Sequence, residues 1–126
     1  MEAWFRVRLA YVTLQQGEIM QAQSMFKNVL RHFQDTNNMI GLVYTIEGFA
    51  SLHVNQGQTE RAAQLFAWAD AMRGKIGDHR PPVEQISVGH DLEVIHSMLN
   101  DSEFAQLSTQ GQTMTVEKAV ALALEE

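Results

Sequence analysis

Gly17 and Gly57 stand 40 residues apart, and the chain around them repeats at that offset. Ala10 pairs with Ala50, Gln16 with Gln56, Ala22 with Ala62 and Phe26 with Phe66. Apolar character is kept between Leu9 and Phe49, Val12 and Leu52, Leu14 and Val54, and Met25 and Leu65. In each copy one small residue falls near the middle of a first helical run and another near the start of a second. Two backbones can therefore approach closely, and an aromatic one turn further on fills the space beside them. The organising stretch is Val43 to Arg73, two helical runs hinged at Gln56 and Gly57.

Periodicity extends this reading along the chain. Trp4, Val7, Tyr11 and Leu14 lie at helical spacing before Gly17, and Ile19, Ala22, Phe26, Val29, Leu30 and Phe33 trace one face of a second helix. The polar segment Gln34 to Asn38 ends it. A third helix runs from about Asn37 to Asn55 with Met39, Leu42, Val43, Ile46, Phe49 and Ala50 inward, weakened slightly by Gly41 and Gly48. Thr59 is placed to cap a fourth, striped by Ala62, Leu65, Phe66, Ala69, Met72 and Ile76 and closed by Gly77. After Asp78-His79-Arg80-Pro81, Pro82 suits the first position of a fifth helix, with Val88, Leu92, Ile95 and Leu99 inward. Asn100 and Glu103 are spaced as a capping box for a short sixth helix, which Gly111 is expected to interrupt. Thr115 caps a last one, whose Val116, Ala119, Val120, Ala123 and Leu124 are too apolar to be left in water and are expected to cover the fifth and sixth helices.

Composition narrows the function classes. Nine Lys and Arg are scattered among fifteen Asp and Glu, for a net charge of −6, which disfavours direct nucleic-acid contact because counterion release needs clustered cations. Absence of cysteine excludes disulfides and thiolate metal sites. No apolar run approaches the roughly 18 residues of a membrane span, and the N-terminus lacks the pattern of a signal peptide, so a cytoplasmic location is expected.

The small-residue, glycine, alanine and aromatic positions, Ala10, Gly17, Ala22 and Phe26 and then Ala50, Gly57, Ala62 and Phe66, resemble tetratricopeptide repeats over roughly residues 3 to 76. The period is 40 rather than about 34, and Arg6 and Ile46 stand where the family carries a first-helix aromatic. The resemblance implies an all-α, right-handed α-solenoid of antiparallel helix pairs with a C-terminal capping helix. Its single domain, 1–126, divides into repeat 1 (about 3–36), repeat 2 (about 37–77), and a degenerate third hairpin with the cap (about 82–126). From Gly41 onward, Gln-Gly-Gln-Thr-Glu-Arg-Ala-Ala, Gly-Asp-His-Arg-Pro-Pro, Glu103-Phe104-Ala105, Gly111 and the run from Thr115 to Ala123 resemble the extreme C-terminus of large bacterial signal-transduction ATPases and transcriptional regulators of the MalT/LuxR-like and AfsR-like kind. That likeness implies the C-terminal piece of a longer regulator, whose partners are proteins, peptides or other domains of the same chain.

In tetratricopeptide-like repeats the concave face is lined by first helices. Here that face comprises Trp4, Arg8, Tyr11 and Gln15 from one repeat and Tyr44, Glu47, Ser51 and Asn55 from the next, with three aromatics suited to anchoring a peptide. The ordinary alternative is that Trp4 and Tyr11 pack against a preceding repeat. The family's cationic clamp for a terminal carboxylate is not matched, since Val7 and Glu47 occupy its sites. Two repeats are also fewer than a stable stack usually needs, so self-association through Trp4, Phe5 and Tyr11 is expected.

Catalytic chemistry has little to stand on. There is no phosphate-binding loop around Gly74 and Lys75 and no Gly-x-Ser-x-Gly elbow, and no cofactor is expected. The competing class is a small metal-dependent hydrolase using His90 and His96, beside Asp91 and Glu93. Those histidines are six residues apart, about 600° around a helix, whereas paired ligands usually sit three or four apart. Arg73, Lys75, His79 and Arg80 form a basic cluster that suits a phosphate or acidic partner, or simply compensates a helix C-terminus.

Overall fold

The computed structural model describes residues 2–125, all-helical in its regular structure: α1 (Ala3–Gln15), α2 (Ile19–Asp35), α3 (Met39–Asn55), α4 (Thr59–Ile76), α5 (Pro82–Met98), α6 (Asp101–Gln112) and α7 (Val116–Leu124). The first four helices end alike. Gly17, Asn37, Gly57 and Gly77, spaced 20 residues apart, are left-handed, with φ of +83°, +53°, +79° and +69°. The N–H that follows each one reaches a carbonyl five residues back: Glu18 to Thr13 at 3.1 Å, Asn38 to Phe33 at 3.0 Å, Gln58 to His53 at 2.8 Å and Asp78 to Arg73 at 3.0 Å. This is the Schellman closure, which satisfies the last carbonyls of a helix and reverses the chain. Asn37 stands in for glycine because its short amide side chain tolerates the left-handed region.

Starts are encoded as locally. The Asn38 side chain accepts the Gly41 N–H at 3.0 Å, and Thr115 Oγ1 accepts that of Lys118 at 3.1 Å. Asn100 and Glu103 close a reciprocal capping box with bonds of 2.8 and 3.3 Å. Pro82 opens α5 as its sequence suggests. Thr59 is not the cap of α4: it is the first helical residue, buried, and Gln58 holds the cap position without a side-chain bond.

Packing follows two aromatic ladders. Trp4 meets Phe33 at 5.1 Å between ring centroids and Tyr11 meets Phe26 at 5.2 Å, so α1 and α2 run antiparallel. The same two phenylalanines lie over glycines of α3: a Cβ on Gly41 would fall 2.3 Å from Phe33 Cδ1, and one on Gly48 2.4 Å from Phe26 Cε1. These glycines are seats for rings rather than weak points, and they set α3 antiparallel to α2 and parallel to α1. Ala10, Ala22, Ala50 and Ala62 are wholly buried where the helices meet. Burying each of the fully enclosed Phe26, Phe33 and Phe49 rings contributes about 1.5–3 kcal/mol.

From Gly41 to Val54, α3 is buried on every side except at Tyr44, because distant helices cover the face that α2 and α4 leave bare. One cover is α7, whose Ala119, Val120 and Ala123 are buried. It lies on α3 and α4, not chiefly on α5 and α6 as its stripe suggested. His53 supplies the reason: its buried Nε2–H donates to the Ala123 carbonyl at 2.9 Å, a contact that hydrophobic spacing does not encode. Nor does Gly111 interrupt α6. It is buried within the helix at the closest approach to α4, where a Cβ would sit 2.2 Å from the Gln64 carbonyl oxygen. Thus α6 packs extensively along α4, while α5 touches α3 and α4 more lightly and meets α6 through the His96 and Phe104 rings, 4.2 Å apart.

Candidate functional site

Where α1 and α3 lie side by side, the start of α5 closes over them to leave a cleft of about 420 Å³. Its walls are Arg8, Tyr11, Val12 and Gln15 from α1, Tyr44, Glu47 and Ser51 from α3, and Pro81, Val83, Glu84, Ser87 and Val88 from the α5 entry. Six of the eight residues expected on the concave face are therefore brought together. Trp4 and Asn55 are not. Trp4 is packed between Phe33 and Tyr44, at 5.1 and 5.8 Å, and Asn55 donates to the Ser51 carbonyl at 2.9 Å.

The two tyrosines set the cleft's geometry. Their rings meet edge to face at 5.1 Å, and the Tyr11 hydroxyl donates to the Tyr44 carbonyl at 2.7 Å, tying α1 to α3. Burial holds the Tyr11 phenol well above its usual range, with the Glu47 carboxylate adding to the effect. Tyr44 is raised likewise, by burial first and then by the Glu84 carboxylate beside it. Both phenols are neutral at physiological pH, and their rings present apolar surface to the cleft.

Beneath them, Glu47 is only 3% exposed and held by two guanidiniums. Arg73 Nε donates to its Oε1 at 2.7 Å and Arg73 Nη2 to Oε2 at 3.2 Å, while Arg80 contributes Nη2 to Oε1 at 2.6 Å and Nε to Oε2 at 3.2 Å. Arg73 also pairs with Asp78, and Arg80 with Asp70 at 2.6 Å. The network fastens the α4–α5 connector to the middle of α3 and so sets the far wall of the cleft. It also changes two readings of the sequence. Glu47 borders the cleft with its charge already balanced, and Arg73 and Arg80 are committed internally, which leaves Lys75 and His79 exposed as the remainder of the basic cluster.

Ser51 donates to Asp91 Oδ2 at 2.5 Å, and burial raises the Asp91 carboxyl above its usual range. His96 lies against Phe104, and His90 is exposed on α5. Among the described residues, no group of three or more His, Cys, Asp or Glu could hold a metal ion. At the N-terminal face, Trp4 and Tyr11 turn inward, contrary to the expectation that they seek a neighbour; Phe5, Leu9 and Val12 remain exposed.

The α5 wall is absent from the sequence reading. Pro81, Val83, Glu84 and Ser87 carry no periodic signal, and their place depends on Arg80 reaching Glu47, 33 residues earlier. Among the described residues, no helix is long and apolar enough to cross a membrane. Compared with known proteins, the chain matches no family model, no curated protein and no solved structure.

Proposed function

We propose that this chain is a non-catalytic protein-interaction module: a tetratricopeptide-like right-handed α-solenoid capped by α7, working in the cytoplasm as part of a bacterial signalling or transcription-regulatory protein. Its partner is a peptide segment of another protein or of another domain of the same chain. The cleft between α1, α3 and α5 carries this reading. It is concave and lined half by tyrosine, valine and proline and half by polar side chains, a mixture of apolar and orienting groups suited to anchoring a peptide.

Ser87→Trp tests it. Ser87 is exposed and lines the cleft, so an indole there fills the cavity without touching the core. Peptides selected on an array by the parent chain should lose binding to the variant while its melting curve is unchanged. Retained binding would refute the assignment of the cleft. Association between copies through the N-terminal face belongs to the same reading and rests on Phe5, Leu9 and Val12, which are 57, 37 and 46% exposed. Sedimentation should detect a dimer that Phe5→Ser weakens, and a monomer up to millimolar concentration rules it out.

A further inference from the structure

Resting on that reading, we propose that the peptide taken by the cleft presents a basic side chain, lysine or arginine, to the Glu84 carboxylate between apolar neighbours. Glu84 lies in the first turn of α5, partly buried; the Tyr44 phenol is the neighbour of its carboxylate, yet Oε2 is shut off from solvent with no hydrogen-bond donor of its own. Almost all buried polar atoms have a partner, and a carboxylate oxygen without one has lost its water for nothing in return. The other acid of the cleft differs: Glu47 is held by Arg73 and Arg80.

Arg8, the cation of the cleft wall, is exposed to solvent, so an acidic ligand there would exchange hydrogen bonds to water for hydrogen bonds to itself. A cation at Glu84 would instead fill an empty position. The terminal torsion of a glutamate is broad and two-fold, so either oxygen can be turned to the entering donor. Around it, Tyr11 and Tyr44 offer ring surface to an ammonium or guanidinium, and Val12, Val83 and Val88 offer apolar surface to its stem and flanks. The net charge of −6 favours the approach of a basic segment.

The test is calorimetric titration of the full chain with acetyl-Leu-Arg-Leu-amide, with the same peptide carrying citrulline, the neutral isostere of arginine, and with agmatine as a free cation. The arginine peptide should bind saturably. Citrulline should weaken binding at least tenfold, and Glu84→Gln should weaken the arginine peptide to the same degree while leaving the citrulline peptide unaffected. Arg8→Gln should not weaken it. Because the citrulline exchange is made in the ligand, it does not depend on any variant folding. Equal binding of the two peptides would overturn the basic specificity and leave the peptide reading standing. Agmatine binding as tightly as the peptide would overturn the peptide as occupant. Binding of neither peptide at millimolar concentration would overturn this proposal, while the array experiment with Ser87→Trp decides the broader reading independently.

Discussion

Replacing Gly111 by alanine is, by local preference, a favourable change, since alanine exceeds glycine by about 0.8–1 kcal/mol inside a helix. Here it should destabilise. The added Cβ would lie 2.2 Å from the Gln64 carbonyl oxygen, 2.9 Å from the carbon of that carbonyl and 3.0 Å from Ala67 Cβ, where ordinary contact begins near 3.4 Å. The obstacle is α4 backbone, which cannot rotate aside, so α6 must retreat by roughly an ångström along its main contact. Overpacking of this kind costs about 1–3 kcal/mol and more against a rigid neighbour. Against rigid backbone the cost should lie in the upper part of that range, about 2–3 kcal/mol, so that after the propensity gain the net loss is about 1–2 kcal/mol, or a fall in Tm of roughly 3–8 °C for a chain of this size.

Gly89 supplies the control. It lies within α5, where an added Cβ would meet nothing within 4 Å, so Gly89→Ala should stabilise by up to about 1 kcal/mol. Urea unfolding followed by circular dichroism measures both variants, and the same chemical change should move the two midpoints in opposite directions. If Gly111→Ala is as stable as the parent, α6 does not press on α4 as described.

Three further outcomes are expected. Glu47→Gln should destabilise by up to about 3 kcal/mol in urea unfolding, because it removes the carboxylate shared by Arg73 and Arg80 and leaves the buried Arg73 with Asp78 as its remaining acidic partner; a loss below about 1 kcal/mol would mean that the connector is held by something else. Burial keeps the His53 pKa below its ordinary value of about 6.5, so the unfolded chain binds the proton more readily. Stability from this group is therefore complete above pH 6.5 and declines as the pH falls below it, and His53→Gln should flatten that part of the profile if the ring is responsible. Deleting residues 113–126 should lower Tm and increase binding of a hydrophobic dye, since α7 covers α3 and α4 and bonds His53; a truncated chain that melts like the parent would show α7 to be dispensable.

Much of the fold is legible in the sequence because helices announce themselves locally. The stripes on α2 and α4, the Asn100–Glu103 box and the glycines at 17, 57 and 77 each act within a few residues of themselves. What escapes is whatever depends on a neighbour. Gly41, Gly48 and Gly111 look like flaws until a ring or a carbonyl is seen above them. Glu47 and Ser51 look like a polar face of α3 and His53 like a lone polar residue away from it, yet Arg73, Asp91 and Ala123 arrive from 26, 40 and 70 residues away to bury all three. The cleft is half legible for the same reason. Its α1 and α3 walls follow from the repeat, and its α5 wall follows from an ion pair that periodicity cannot express.

The regular joints also have a consequence for synthesis. Each closes within six residues of chain, so α1, α2 and α3 can stop, turn and pair as soon as they leave the ribosome, with little loop entropy to overcome. The opposite flank of α3 has no such independence. It must wait for α5 and α7, which end 43 and 69 residues after α3 does. At about 5–20 residues per second, the nascent chain spends several seconds with Ser51 and His53 lacking their final partners. Those seconds, rather than any weakness of the finished protein, are when this chain is most open to the wrong neighbour.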